Sequence, residues 1–204
     1  MRTFIAVDLP EDVRAALERE QKRLRAACAL SHDIRWTRPE GLHLTLKFLG
    51  EVAAERVAAI VGALESIGPF GKFEVEVRGF GFFPNPRRPR VFWVGLQAPA
   101  ALGELAAKVE AAMAPLGFPP ENRPFQPHLT LARFESEHAQ PALEAALEPS
   151  NGGALGRFEV SAFFLFQSKL RPGGAQYSKL ARFPPTADQH EMSAGPPRPD
   201  GSAP

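Results

Sequence analysis

The apolar positions of this chain switch repeatedly between a period of two and a period near 3.6, the marks of half-buried strands and amphipathic helices. Phe4 to Val7 is a short apolar run closed by Leu9-Pro10, and predicts a buried strand. From Glu11 to Ala29, Val13, Leu17, Leu24 and Cys28 fall near helical spacing. After Pro39 and Gly41, Leu42 to Leu49 alternates like a strand, and Ala53 to Ile67 reads as a second helix stopped by Gly68-Pro69. Phe73 to Phe83 and Arg90 to Gln97 predict two strands joined by a proline-rich loop. A third helix over Ala100 to Leu116 ends at Gly117, followed by a strand from about Gln126 to Phe134 and a helix over Pro141 to Leu147. The pattern closes with a strand from Phe158 to Gln167, a Pro172-Gly173-Gly174 turn and a strand from Ala175 to Phe183. From Pro184 to Pro204 periodicity vanishes and Pro, Gly, Ser and Asp dominate, so this tail is expected to be disordered.

The order strand–helix–strand–helix–strand–strand occurs twice, with Arg90 to Gln97 closing the first round and opening the second. Two short echoes accompany it. His43-Leu44-Thr45-Leu46 returns as His128-Leu129-Thr130-Leu131, at a spacing of 128 − 43 = 85 residues. Phe73-Glu74-Val75 returns as Phe158-Glu159-Val160 at the same spacing. Together they predict a duplicated unit, hence an α+β protein whose helices lie outside two sheets that meet across a cleft. Residues 1–183 are expected to form that body.

Within each motif, successive side chains of a strand point to opposite faces. His43, Thr45 and Lys47 then share one face and Leu42, Leu44 and Leu46 the other; His128 and Thr130 oppose Leu129 and Leu131 in the same way. The leucines anchor a core while imidazole and hydroxyl stand in the cleft. With 5 His and 5 Thr in 204 residues, random placement predicts only about 0.1 His-x-Thr pairs; two occur, both flanked by Leu. Two facing histidines suit metal-free acid–base chemistry, because neutral imidazole takes a proton and imidazolium gives one near pH 7.

Composition narrows the field. Hydrophobic residues make up 44% and charged residues 23%, as in an ordinary globular protein. A net charge of +1 argues against coating long nucleic-acid tracts but not against recognising one RNA end. The single Cys28 excludes an intramolecular disulfide and a zinc site built of several cysteines. The N-terminal apolar run is too short for a signal-peptide core, and no segment is long enough to span a membrane, so cytoplasmic residence is expected.

At this point the chain resembles the 2H phosphoesterases, named for two His-x-Thr-x motifs, and among them the bacterial and archaeal RNA 2′,3′-cyclic phosphodiesterases, also called 2′-5′ RNA ligases. The resemblance rests on Arg2 to Pro10 (RTFIAVDLP), His43 to Val52 (HLTLKFLGEV), Pro127 to Arg133 (PHLTLAR) and Lys169 to Phe183 (KLRPGGAQYSKLARF). It implies a bilobal α+β fold of pseudo-twofold symmetry with two antiparallel sheets facing a water-filled cleft. It also implies hydrolysis of terminal RNA 2′,3′-cyclic phosphates to 2′-phosphates without a metal or other cofactor; some members of the family join RNA halves through a 2′-5′ linkage by the reverse reaction. By resemblance His43 is the proton donor to the 3′-oxygen and His128 the proton acceptor that activates water. Thr45 and Thr130, two residues from each histidine on the same strand face, are expected to donate to the phosphate, and Arg133 resembles the arginine that follows the second motif. The expected partner is an RNA end bearing a cyclic phosphate, met by a monomer.

Strict alternation sets Arg133 on the leucine face, so it reaches the cleft only if the strand bends or bulges there. Lys47 on the histidine face would steer phosphate, Phe48 and Tyr177 have the shape to stack on a base, and Arg87, Arg88 and Arg90 would suit an RNA backbone; each is equally at home in a structural or solvated role. Other classes remain in view. His32-Asp33 is a faint hint of a metal-dependent phosphohydrolase, though it lacks neighbouring acidic ligands. Gly68 to Lys72 departs from a phosphate loop in glycine spacing and in having Phe73 where Ser or Thr is required. His138 and His190 read as solvated. A non-catalytic RNA- or nucleotide-binding module using the same cleft is the main alternative.

Overall fold

The structure, a computed structural model, describes residues 1–28, 33–135, 140–147, 153–171 and 174–184. Among these residues, strands and helices run in the order β1 (Arg2–Asp8), α1 (Glu11–Ala27), β2 (Ile34–Trp36), β3 (His43–Glu51), α2 (Val57–Glu65), β4 (Phe73–Phe83), β5 (Val91–Gln97), α3 (Ala100–Met113), β6 (His128–Phe134), α4 (Gln140–Leu147), β7 (Ala154–Val160), β8 (Phe163–Arg171) and β9 (Gly174–Phe183). The strands form two antiparallel sheets, ordered β3-β1-β8-β9 and β2-β6-β5-β4-β7. Setting β2 aside, β3-β1-β8-β9 corresponds to β6-β5-β4-β7. The two motif strands β3 and β6 hold equivalent places, and they approach one another where the sheets meet.

The helices are exchanged between the sheets. α1 follows β1 of the first sheet, yet Gln21 on its buried face donates through Nε2 to the carbonyl of Leu131 on β6 (3.0 Å) and to that of Thr37 (2.9 Å). Val13 of α1 packs on β7, where a Cβ at Gly156 would stand 3.2 Å from its Cγ2. α3 follows β5 of the second sheet but meets β3 of the first. Its buried stripe, Leu102, Leu105, Ala106, Val109 and Met113, has the 3–4 residue spacing that makes one apolar helix face. The helix ends through a tight turn at Gly117, whose φ of +80° favours a residue without Cβ. One continuous apolar cluster therefore links both sheets, with Leu44, Leu46, Leu129 and Leu131 buried in it.

Most elements lie where the hydrophobic pattern sets them, and three differences matter. The pattern does not reveal β2, because three residues are too few to display a period. The strand expected over Phe158 to Gln167 is two strands: β7 ends at Val160 in the second sheet and β8 begins at Phe163 in the first. No Gly or Pro marks that crossing. The Phe-Glu-Val echo does not join equivalent strands either. β4 and β7 are hydrogen-bonded neighbours, with Phe73 opposite Val160 and Val75 opposite Phe158, and the counterpart of β4 in strand order is β8. Residues 185–204 of the expected tail, with His32, His138, Pro172 and Gly173, lie outside the described residues.

Candidate active site

Each motif strand carries a β-bulge at the same place. On β3, Thr45 pairs with Ala6 while Lys47 pairs with Ile5, leaving Leu46 as the extra residue. On β6, Thr130 pairs with Trp93 while Ala132 pairs with Phe92, leaving Leu131 extra. The bulges are 131 − 46 = 85 residues apart, the spacing of the histidines. An extra residue reverses the alternation beyond it. His43, Thr45 and Phe48 therefore share the cleft face of the first sheet, and His128, Thr130 and Arg133 that of the second.

Two expectations from strict alternation are thereby corrected. Lys47 does not share the histidine face. It is turned inward and buried, its Nζ 2.6 Å from Oε2 of Glu110 on α3 and 2.8 Å from the carbonyl oxygen of Pro119. Arg133 leaves the leucine face and is exposed beside Thr130.

His43 lies on an aromatic bed. Its ring stacks on Phe4 at 4.5 Å between centroids, meets Tyr177 edge-on at 5.3 Å, and has Phe166 at 6.2 Å. Tyr177 thus serves as a wall of the histidine's seat. Asp8 ends β1 directly opposite His43 and on its face. The Asp8 carboxylate accepts from Arg14 at 2.8 Å and pairs with Lys179 of β9 at 2.5 Å. Burial pushes the His43 imidazole down to about 4; a backbone hydrogen bond to Gly41 and the Asp8 charge act upward, and Arg14 acts downward.

His128 is held alike. Its Nδ1 is 2.7 Å from the carbonyl oxygen of Gln126, and each ring thus bonds the backbone two residues before it. A carbonyl has no proton to give, so Nδ1 of His128 carries the hydrogen and Nε2 is the basic nitrogen of the neutral ring. Phe83 meets the ring edge-on at 5.0 Å and Trp93 stands at 6.2 Å. Burial lowers the pKa of this imidazole; the Gln126 bond raises it and the Arg133 charge lowers it further. Trp93 in turn lies flat over Gly81 of β4, where a Cβ would fall 2.1 Å from Cζ2 of the indole. Any side chain at 81 would displace the ring.

Thr45 and Thr130 are half-buried on the two cleft faces, and Phe48 is 56% exposed. Arg87 and Arg88 sit at the exposed tip of the β4–β5 hairpin, where Asn85 caps their backbone amides, and Arg90 is exposed close by. Asp8, Gly81 and Trp93 are not legible as site residues in the sequence, because their roles depend on cross-strand neighbours. A signal for the second bulge is present in the apolar doublet Leu131-Ala132, which breaks the alternation just before Arg133.

The model of the LigT-like phosphoesterase family matches this chain twice in succession, over residues 7–93 and 94–177. The chain belongs to the LigT-like phosphoesterase family. The double match fits the strand correspondence of the two sheets, each half contributing one bulged His-x-Thr strand. Among its relatives, the RNA 2′,3′-cyclic phosphodiesterase of Methanothermobacter thermautotrophicus is 33% identical over 184 residues, covering 90% of this chain and 98% of that protein. The protein of the same name from Aeropyrum pernix is 42% identical over 142 residues, covering 69% and 80%. Among solved structures, TT0787 of Thermus thermophilus superposes with a TM-score of 0.72 at 33% identity, covering 90% of this chain and 97% of that one. E. coli LigT complexed with 3′-AMP gives 0.72 at 31%, covering 89% and 96%. As a family member the chain is a phosphoesterase.

Proposed function

We propose that this phosphoesterase hydrolyses the 2′,3′-cyclic phosphate at the end of an RNA strand to a 2′-phosphate, by acid–base catalysis between His43 and His128. The observation that carries the reading is the matched pair of motif strands, each of which sets one histidine and one threonine on its cleft face, with the bulge of β6 bringing Arg133 to the same face as His128 and Thr130. Relatives that span nearly their full length on this chain bear the name of that activity.

In this mechanism Nε2 of His128 takes a proton from a water as the water attacks phosphorus. The bond from phosphorus to the 3′-oxygen breaks, and His43 protonates that oxygen. Thr45, Thr130 and Arg133 donate to the non-bridging oxygens, where charge builds in the transition state. His43 must hold a proton for its part, and burial works against one. The incoming phosphate supplies negative charge that adds to the Asp8 carboxylate and raises the imidazole. With an RNA 5′-hydroxyl in place of water the same groups would form a 2′-5′ linkage, and in its reversal the two histidines exchange roles. No helix among the described residues is long and apolar enough to cross a membrane. In this proposal the enzyme acts as a monomer in the cytoplasm.

The test is an RNA oligonucleotide ending in a 2′,3′-cyclic phosphate, incubated with the protein in EDTA. The expected product carries a 2′-phosphate, resistant to a 3′-specific phosphatase. Turnover that disappears with the chelator and returns with a divalent ion would point to a metal enzyme. Binding without turnover would point to a binding module.

A further inference from the structure

The short strand β2 places a second arginine on the wall of the cleft. Arg35 is the cross-strand partner of Arg133, and partners share a face of the sheet. Its neighbours fix the orientation. Ile34 is buried, and Trp36 packs edge-on to Phe92 at 6.1 Å with the Arg25 guanidinium of α1 over its ring at 5.5 Å. Arg35 therefore points the other way, toward the face of His128 and Thr130, and it is exposed, as Arg133 is. β2 is pinned at both ends: the Thr37 amide donates to the Leu131 carbonyl, and the Glu135 amide donates to that of Asp33, each at 2.8 Å.

Like charges directly opposite one another in a sheet repel. The arginine–carboxylate pairs among the described residues use Arg14, Arg23, Arg78 and Arg157, but neither Arg35 nor Arg133. Two arginines directly opposite one another on one sheet face, neither paired with a carboxylate among the described residues, are matched to an anion with several oxygens, which can accept from both forks at once. Along β5, Arg133 is level with Val91, Thr130 with Trp93 and His128 with Gly95. At about 3.3 Å per residue, the arginine pair lies roughly 7 Å beyond the threonine and roughly 13 Å beyond the histidine. The offset from the threonine is comparable with one nucleotide step along a strand.

We propose that Arg35 and Arg133 form a second anion site, which binds the phosphodiester next to the reacting end and so makes an RNA strand a better substrate than a cyclic mononucleotide. Arg133 stands between the two phosphates and serves both; Arg35 serves the second. The proposal rests on the function proposed above and names the substrate class of that site.

The experiment compares the full chain with its Arg35→Met and Arg35→Lys variants on two substrates: an oligoribonucleotide ending in a 2′,3′-cyclic phosphate, and 2′,3′-cyclic AMP. For Arg35→Met, kcat/KM on the oligonucleotide is expected to fall about tenfold or more, mostly through KM. Turnover of cyclic AMP stays within about twofold, since a mononucleotide lacks the phosphate that Arg35 contacts. Arg35→Lys recovers part of the loss, and the salt dependence of oligonucleotide binding becomes shallower in Arg35→Met. Equal losses on both substrates, or no loss on either, would overturn the second site. If the unaltered chain turns over neither substrate, the proposed function fails. Arg35 is then judged by equilibrium binding of the oligonucleotide alone, where equal affinity of the unaltered chain and Arg35→Met would overturn the site as well.

Discussion

Phe48 and Arg133 occupy the same place in the two sheets, each two residues beyond the bulge of its motif strand and each exposed on the cleft face, yet one is an aromatic ring and the other a cation. A near-symmetric backbone thus presents an asymmetric pair of walls. An apolar ring suits the face of a base, and a guanidinium suits phosphate.

Phe48→Ala is expected to raise KM for a cyclic-phosphate oligonucleotide by about tenfold, within the usual worth of one base–aromatic stack, while kcat stays within about threefold of the parent value. Phe48→Trp should keep a low KM. Steady-state kinetics on the three proteins check this, and a Phe48→Ala variant with the parental KM would remove the ring from substrate binding.

Loss of either imidazole should stop chemistry without unfolding the protein. His43→Ala and His128→Ala are each expected to lower kcat by about 10²–10⁴, with the RNA affinity of His128→Ala largely kept. Product formation and equilibrium binding, measured on the same preparations, separate the two effects. A variant that turns over at the parental rate would acquit that histidine.

The half-buried, neutral His43 ring makes stability depend on pH. Its pKa is about 4 in the fold and near 6.5 in an unfolded chain, so the unfolded chain takes up a proton first on acidification. The stability contributed is complete above pH 6.5, is lost as pH falls from 6.5 toward 4, and is flat below; the full change is up to about 3 kcal/mol. His128, lowered by burial as well, acts in the same direction. Urea unfolding at about pH 7 and about pH 4.5 should show a smaller acid loss in His43→Gln than in the parent chain.

Gly81→Ala puts a methyl where the Trp93 ring now lies. The ring must move, and it abuts both Phe83 and His128. A stability loss of about 1–3 kcal/mol is expected, with a fall in kcat larger than any rise in KM. Trp36 is the other tryptophan of the chain, so a Trp36→Phe background reports displacement of Trp93 by its fluorescence. Unchanged emission together with unchanged kcat would show that Trp93 does not hold His128.

Lys47 tests the bulge itself. With its ammonium buried against Glu110, Lys47→Ala leaves a partly buried carboxylate without its partner, at about 3 kcal/mol or more. Double substitution with Glu110→Gln should recover part of that loss. The KM of the folded Lys47→Ala protein should stay near the parental value, because Lys47 faces away from the cleft. A selective rise in KM with stability intact would return the lysine to the phosphate.

The sequence by itself determined the order of nearly all the strands and helices, the doubling of the unit and the placement of His43, Thr45, His128 and Thr130 on one side of their strands. Each of these follows from local periodicity, which side-chain alternation and helical pitch write directly into neighbouring positions. Tertiary structure decided what lies beyond the bulges. Whether Lys47 or Phe48 faces the cleft depends on Ile5 and Phe4 across the ladder, and the side taken by Arg133 depends on Val91, all distant in the chain. β2 forms only because β6 offers it an edge, and Arg35 has no meaning for the site until that pairing exists. The acidity of His43 has the same origin: rings from β1, β8 and β9 bury it, and no stretch of sequence around the histidine contains them.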